Sequence, residues 1–223
     1  MLCIIQARMS SRRLKGKVLK KIRNEPILHL IIKRLGRVNI HKKNIIIATS
    51  NKSSDKPIIT YCRNNNLKFY RGKLNNVASR FFNILKKNKT KYFLRINGDS
   101  PFIDPKLINK IIILTKNKNY DIYTNLFPRS FPKGQSIEII SKKIFMKFYS
   151  KLKTKVHKEH VTKFFYDNSK LFKIKNFANK KDYSRINMSI DTQSDYYRAI
   201  KFASHFKDKN FESLTWNKIL KNY

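Results

Sequence analysis

Short apolar runs of strand character alternate with segments whose apolar residues recur at helical spacing, and few architectures accommodate that alternation. Residues 2–5, 44–48, 67–70 and 92–96 are the first four strand candidates. Between them lie Ile27, Leu28, Ile31, Ile32 and Leu35, then Ile58, Ile59 and Cys62, then Val77, Phe81, Ile84 and Leu85. Each set lies on one face of a helix. A further helix is predicted after Asp104-Pro105, a cap residue followed by a first-turn proline. Near-continuous apolar strands separated by helices imply a mostly parallel sheet covered on both faces, an α/β fold.

The rhythm changes after residue 120. Segments 121–123 and 136–140 read as strands joined by a loop holding Pro128, Pro132 and Gly134. Helices are expected over 142–152, 157–168, 193–205 and 211–221, with short strands at 171–176 and 186–190. There is no repeat, no Gly/Ser linker and no charged tail. Residues 1–223 are therefore read as one domain, in which 121–223 form an α+β extension packed on the sheet built by 1–120.

Composition narrows the function classes. The chain carries 51 Lys+Arg against 13 Asp+Glu, a formal net charge of +38. Such a surface attracts polyanions. The basic residues are spread along the whole chain, as an A/T-rich coding sequence would also produce. No helix-turn-helix, RNP or zinc-finger spacing accompanies them, so a basic nucleic-acid-binding protein remains only the alternative reading. Cys3 and Cys62 make neither a disulfide framework nor a zinc site and are expected to be buried thiols. No apolar stretch approaches the length of a membrane span. A cytoplasmic location follows by default.

Three segments carry chemistry. The first strand runs into the polar loop ARMSSRRLKGK, residues 7–17, with Arg8, Arg12, Arg13, Lys15 and Lys17. In open α/β sheets ligands bind beyond the carboxyl ends of strands. Small residues there expose N–H groups, and Arg and Lys supply the charge that phosphates need. The spacing is not that of a Walker A loop. The fourth strand runs into Asn97, Gly98 and Asp99 on the same edge. A carboxylate facing a phosphate loop suits Mg²⁺, which takes one or two carboxylates plus substrate oxygens and water. Near the end, NMSIDTQSD places Asp191 at a strand end, as a second metal ligand or a structural residue. Thr192 and Asp195 read as a variant capping box.

The segments IIQARMSSRRLKGKVL, FYRG at 69–72, RINGDSPFID at 95–104, KEHVTKFFYDN at 158–168 and SIDTQSDY at 189–196 resemble, in order, the spore-coat polysaccharide type of cytidylyltransferase. That family is similar to the acylneuraminate and 3-deoxy-octulosonate cytidylyltransferases. The resemblance implies a nucleotide-diphospho-sugar-transferase-like, Rossmann-like fold and the reaction of CTP with an acidic sugar to give a CMP-sugar and pyrophosphate. By position it implies that Ala7, Arg8, Ser11, Arg13, Lys17, Arg71 and Arg95 bind the nucleotide, and that Asp99 and Asp191 hold Mg²⁺. Arg13 and Lys17 would act in catalysis together with the two aspartates. Asn125, Arg129, Gly134, Glu159 and His160 fall where the family builds its sugar pocket, although His160 beside Phe164 and Phe165 also reads as a core histidine. A homodimer is one assembly open to such a chain, and another sugar nucleotidyltransferase of the same fold is the nearest alternative. Ser10, Lys15, Asn76 and Ser136 depart from the family pattern, which usually has Gly, Pro, an acidic residue and Asp there.

Overall fold

The computed structural model describes residues 1–116, 119–206 and 211–223. Residues 2–5 are almost wholly buried, as a strand covered on both faces must be. They belong to β1 (Leu2–Gln6), which a two-stranded hairpin follows, β2 (Lys21–Ile22) and β3 (Glu25–Pro26). Then come α1 (Ile27–Gly36), β4 (Ile45–Ser50), α2 (Lys56–Asn64), β5 (Lys68–Gly72), α3 (Val77–Lys87), β6 (Tyr92–Asn97) and α4 (Pro105–Leu114). The remainder forms β7 (Ile122–Thr124), β8 (Glu138–Ser141), α5 (Lys142–Phe148), α6 (Lys155–Glu159), α7 (Lys163–Asp167), β9 (Ile174–Asn176), α8 (Gln193–Ser204) and α9 (Trp216–Leu220).

Seven strands make one sheet in the order β5-β4-β1-β6-β8-β7-β9. From β5 to β6 all pairings are parallel; β8 then runs antiparallel to both β6 and β7, and β9 is parallel to β7. The expected mostly parallel sheet is therefore present, with its reversal in the later part of the chain. Alternate residues feed two cores. Cys3, Ile5, Ile45, Ile47, Leu94 and Ile96 face α1, α2, α4 and α8. Ile4, Ile46, Ala48 and Phe93 face α3, α5 and α7. Helices cover both faces, and both cysteines are buried free thiols.

The chain leaves β1 toward β4 and β5, then returns to place β6 on the other side of β1. The connections therefore diverge at the carboxyl ends of β1 and β6, the switch point where such sheets open a crevice. Gly98 makes the junction tight. Its N–H donates to the Gln6 carbonyl at 2.9 Å, and a Cβ there would lie 2.7 Å from that same oxygen.

Several elements differ from expectation. Segment 186–190 forms no strand beyond the single bridge between Lys133 and Asn187. The Met188 N–H donates to the Lys133 carbonyl as part of that bridge, and the Ile190 N–H goes instead to the Asp99 carbonyl. The helix expected over 157–168 breaks at His160, which has left helical geometry (φ −100, ψ 81). The helix expected over 142–152 ends at Phe148 and continues as a 3₁₀ turn, and that over 211–221 is a 3₁₀ turn followed by the short α9. The β2–β3 hairpin turns through left-handed Arg23 and Asn24 and has no apolar run to announce it.

Gly134 has φ +91, and a Cβ would meet the Met188 carbonyl carbon and the Ser189 nitrogen at 2.7 Å each. Two backbones cross there, so the residue is a structural requirement of the loop that delivers Asp191. Gly134→Ala is expected to destabilise the protein by more than ~1 kcal/mol, since alanine fits neither the dihedral nor the space. Urea unfolding measures it, and an unchanged midpoint would refute the crossing.

Candidate functional site

At the switch point lies a cleft of about 400 Å³ lined by Ala7, Arg8, Ser11, Arg12, Arg13 and Lys17 from the loop after β1. Asn97, Gly98 and Asp99 after β6 line it too, with Val77 and Arg80 of α3, Glu159, His160 and Asp191. Residues from five separate stretches of sequence meet here: the parallel strands β1 and β6 deliver their carboxyl ends to one edge, and α3, the α6–α7 break and the Asp191 segment close around it.

The loop is clamped at Met9. Its N–H donates to Asp55 Oδ1 at 2.8 Å, and its carbonyl accepts from the Gly16 N–H at 2.8 Å. Asp55 is wholly buried in the turn just before α2, and its other oxygen accepts from Thr49 Oγ1, the Ser50 N–H and Ser50 Oγ at the end of β4. Residues 10–15 therefore project from a fixed base. Lys17 follows at the start of a 3₁₀ turn and is only 8% exposed.

Lys17 Nζ lies 2.8 Å from Asp99 Oδ2 and 2.8 Å from Asp191 Oδ1. Burial pulls the Lys17 pKa down, but the paired charges and hydrogen bonds of Asp99 and Asp191 more than offset it, so it is raised and the ammonium persists at neutral pH. Arg13 reaches Asp191 at 3.3 Å from a mostly exposed position, and Arg8 pairs with Glu159 at 2.8 Å. Each of these cations is thus matched by a carboxylate inside the cleft.

Asp191 is presented by its neighbours. Its N–H and that of Thr192 both donate to Asp195 Oδ2, and the Ile190 N–H donates to the Asp99 carbonyl at 2.9 Å. The capping box of α8 is complete, with Thr192 Oγ1 also serving the Asp195 N–H. Two carboxylates brought onto one ammonium are a donor set that magnesium accepts when substrate oxygens and water complete it. Asp99 and Asp191 therefore fit such an ion, although among the described residues no group of three His, Cys, Asp or Glu is placed to hold one by protein ligands alone.

Other expected residues sit differently. Arg71 lies exposed on the edge strand, donates to the Asn51 carbonyl at 3.0 Å and does not line the cleft. Arg95 lines it, yet its guanidinium is committed to Gln6 Oε1, Asn97 Oδ1 and buried Glu138. Glu138 in turn accepts from the Tyr166 hydroxyl at 2.7 Å. Arg95 thus braces β1, β6 and β8 beneath the cleft. Asn125 is fully buried; its amide donates to the Gln135 carbonyl and accepts from the Ile137 N–H, so it shapes the loop and offers nothing to a ligand. Gly134 likewise lies at the backbone crossing. Arg129 is half-buried; one guanidinium nitrogen donates to Ser136 Oγ at 3.2 Å, while Nη1 is buried without a partner. Glu159 and His160 do face the cleft, from the break between α6 and α7.

Arg80 was not legible as a site residue. It sits in an apolar helix, donates to the carbonyls of Ala48 and Leu74, and has a buried Nε without a partner. Burial pulls its pKa down to about 10, against the pull of Glu159 and Asp55.

Asp195 generates a pH-dependence. Burial pushes its pKa up, but hydrogen bonds from Thr192 and Asp191 and the charge of Arg198 prevail, and it is lowered. A carboxylate depressed in the folded state stabilises above its unfolded pKa, ~3.9, and the contribution fades as pH falls through the folded value. Asp195→Asn should cost about 2 kcal/mol near pH 7, the scale of a charge-assisted hydrogen bond. The difference from the parent should shrink below about pH 4. Unfolding curves across that range measure it; a constant difference would show that the charge is irrelevant.

Residues 2–219 match the family described as cytidylyltransferase. The chain is 28% identical over 202 residues to the spore coat polysaccharide biosynthesis protein SpsF of Bacillus subtilis, covering 87% of this chain and 82% of that one. It is 30% identical over 132 residues to a 3-deoxy-manno-octulosonate cytidylyltransferase of Rickettsia akari, covering 54% and 49%. Among solved structures, a cytidylyltransferase from Leptospira borgpetersenii superposes with a TM-score of 0.90 at 26% identity, covering 99% of this chain and 92% of that one.

Proposed function

The chain belongs to the cytidylyltransferase family, and from that premise we propose that it joins CTP to an acidic sugar, giving a CMP-sugar and pyrophosphate for surface-glycan synthesis. The observation that carries this reading is the convergence of Arg8, Arg13 and Lys17 with Asp99 and Asp191 in one cleft at the sheet's switch point. A triphosphate needs several cations, and a metal-assisted transfer needs carboxylates beside them. Support for an acidic acceptor comes from the relatives. The relative named for 3-deoxy-manno-octulosonate acts on an acid of that class.

In this reading a sugar hydroxyl gives up its proton to solvent as its oxygen bonds the α-phosphorus, while the bond to the pyrophosphate oxygen breaks on the opposite side. Such transfers depend on positioning and charge neutralisation rather than on a covalent enzyme group. Asp99 and Asp191 would hold Mg²⁺, which when bound neutralises phosphate charge and acidifies a coordinated hydroxyl. Arg13 and Lys17 would neutralise the charge that accumulates on the departing pyrophosphate. Arg8, Ser11 and the backbone from Ala7 onward would cradle the phosphates from the loop side. Glu159 and His160 would close the opposite wall.

Pyrophosphate release from CTP with a panel of nonulosonate and octulosonate sugars tests the proposal. Asp99→Asn should retain the fold and lower turnover at least ~100-fold, the size of losing one key electrostatic contact to the transition state. Near-normal turnover in saturating magnesium would remove Asp99 from the chemistry.

Thermal melting at ~0.15 M salt separates this reading from nucleic-acid binding, because exposed Lys–phosphate contacts are screened there far more than a half-buried site. CTP with Mg²⁺ at ~100 times its dissociation constant should add about 2.7 kcal/mol. Neither UTP nor random DNA should match it. A larger shift with DNA would favour the alternative.

A further inference from the structure

We propose that Lys17 is a resident surrogate for the divalent cation: its ammonium holds Asp99 and Asp191 together while the metal is absent and withdraws when both carboxylates take one. This rests on the reading above, in which those two aspartates hold the ion.

Oδ2 of Asp99 and Oδ1 of Asp191 lie at the same 2.8 Å from one nitrogen, so both oxygens point at a single positive centre. They are also the two groups that a metal would need. Without a cation between them the carboxylates would repel one another, and among the described residues the Asp191 segment has one bridge, at Asn187, and the Ile190 N–H bond to the Asp99 carbonyl as its backbone ties. An ammonium and a dication compete for the same pair of oxygens, because like charges at such range repel strongly. The lysine is no passing surface side chain: it is 8% exposed and rooted in a turn whose base is the Met9 clamp. Arg13, the other cation on Asp191, is exposed and stands farther off at 3.3 Å.

Two consequences follow. Metal alone must compete with Lys17, so the free protein binds it weakly. A nucleotide that brings metal with it also offers phosphate oxygens to the displaced ammonium, because Lys17 lines the same cleft as the phosphate loop. One side chain thereby links nucleotide arrival to metal capture.

Binding of Mn²⁺ alone, followed by the electron paramagnetic resonance signal of the free ion, tests this without turnover. Lys17→Met should bind one Mn²⁺ at least ~10-fold more tightly than the parent, and Lys17→Met/Asp99→Asn should lose that gain. Equal affinity in parent and Lys17→Met would overturn the surrogate role while leaving the metal reading intact. Absence of binding in both would overturn the metal reading and the surrogate role with it. A second measurement needs only the parent protein: acylation of lysine amines by acetic anhydride, read by peptide mass. Lys17 should be protected without metal, and saturating Mg²⁺ should expose it relative to Lys20. Unchanged labelling would overturn the proposal even if Lys17→Met failed to fold.

Discussion

The cleft depends on the three-centre contact between Lys17 and the carboxylates of Asp99 and Asp191. Those aspartates come from segments more than ninety positions apart in the chain, and two negative groups do not approach one another unless something positive lies between them. Lys17 supplies that charge from inside the protein, and burial strengthens the interaction because little water remains to screen it. The rest of the architecture brings these groups into register. Parallel strands present their carboxyl ends together, Gly98 lets β6 close against Gln6, and Gly134 lets the Asp191 segment cross the loop beneath it.

Buried carboxylates away from the cleft hold its two movable walls. Asp55 fixes the loop after β1 through the Met9 N–H, and Asp195 fixes the Asp191 turn through two consecutive N–H groups. In both places a carboxyl oxygen satisfies backbone donors that a loop would otherwise leave exposed. With only 13 acidic residues against 51 basic ones, the chain places several of its carboxylates at positions where each orders a segment or faces a cation of the cleft. Glu138 serves likewise, joining Arg95 to Tyr166 beneath the sheet edge.

Much of this was legible in the sequence, for physical reasons. Continuous apolar strands and helical spacing mark β1, β4, β5 and β6, and strand ends mark the loop at residues 7–17 and Asp99. Asn76, a departure from the family's acidic residue, still caps α3 by accepting from the Ser79 N–H, a task an amide performs as well as an acid. The misses share a cause. Asp55 lies in a polar stretch that reads as a turn, and its decisive partner is 46 residues away. Arg80 looks like the solvated side of a helix, yet the return of that helix over β4 buries it. Arg71 and Arg95 are basic residues at strand positions; β5 is an edge strand, while β6 is flanked on both sides, so one arginine faces solvent and the other is drawn into a structural network. Asn125 and Gly134 build the loop, a task that composition cannot distinguish from touching a ligand.

The surface charge and the cleft obey different rules. Lysines spread over the exterior raise the local concentration of any polyanion, an effect that salt removes within about a Debye length, ~8 Å at physiological ionic strength. Within the cleft three of the cations are already paired: Arg8 with Glu159, Arg13 with Asp191, and Lys17 with two aspartates. A simple polyanion that takes one of these three leaves a carboxylate behind without that partner. A ligand that arrives with its own dication meets no such penalty, since the released carboxylates have a new positive partner. In the proposed reading that pairing would favour metal-bearing phosphates over bare ones, and a strongly basic protein would keep a specific site while its surface remains indiscriminate.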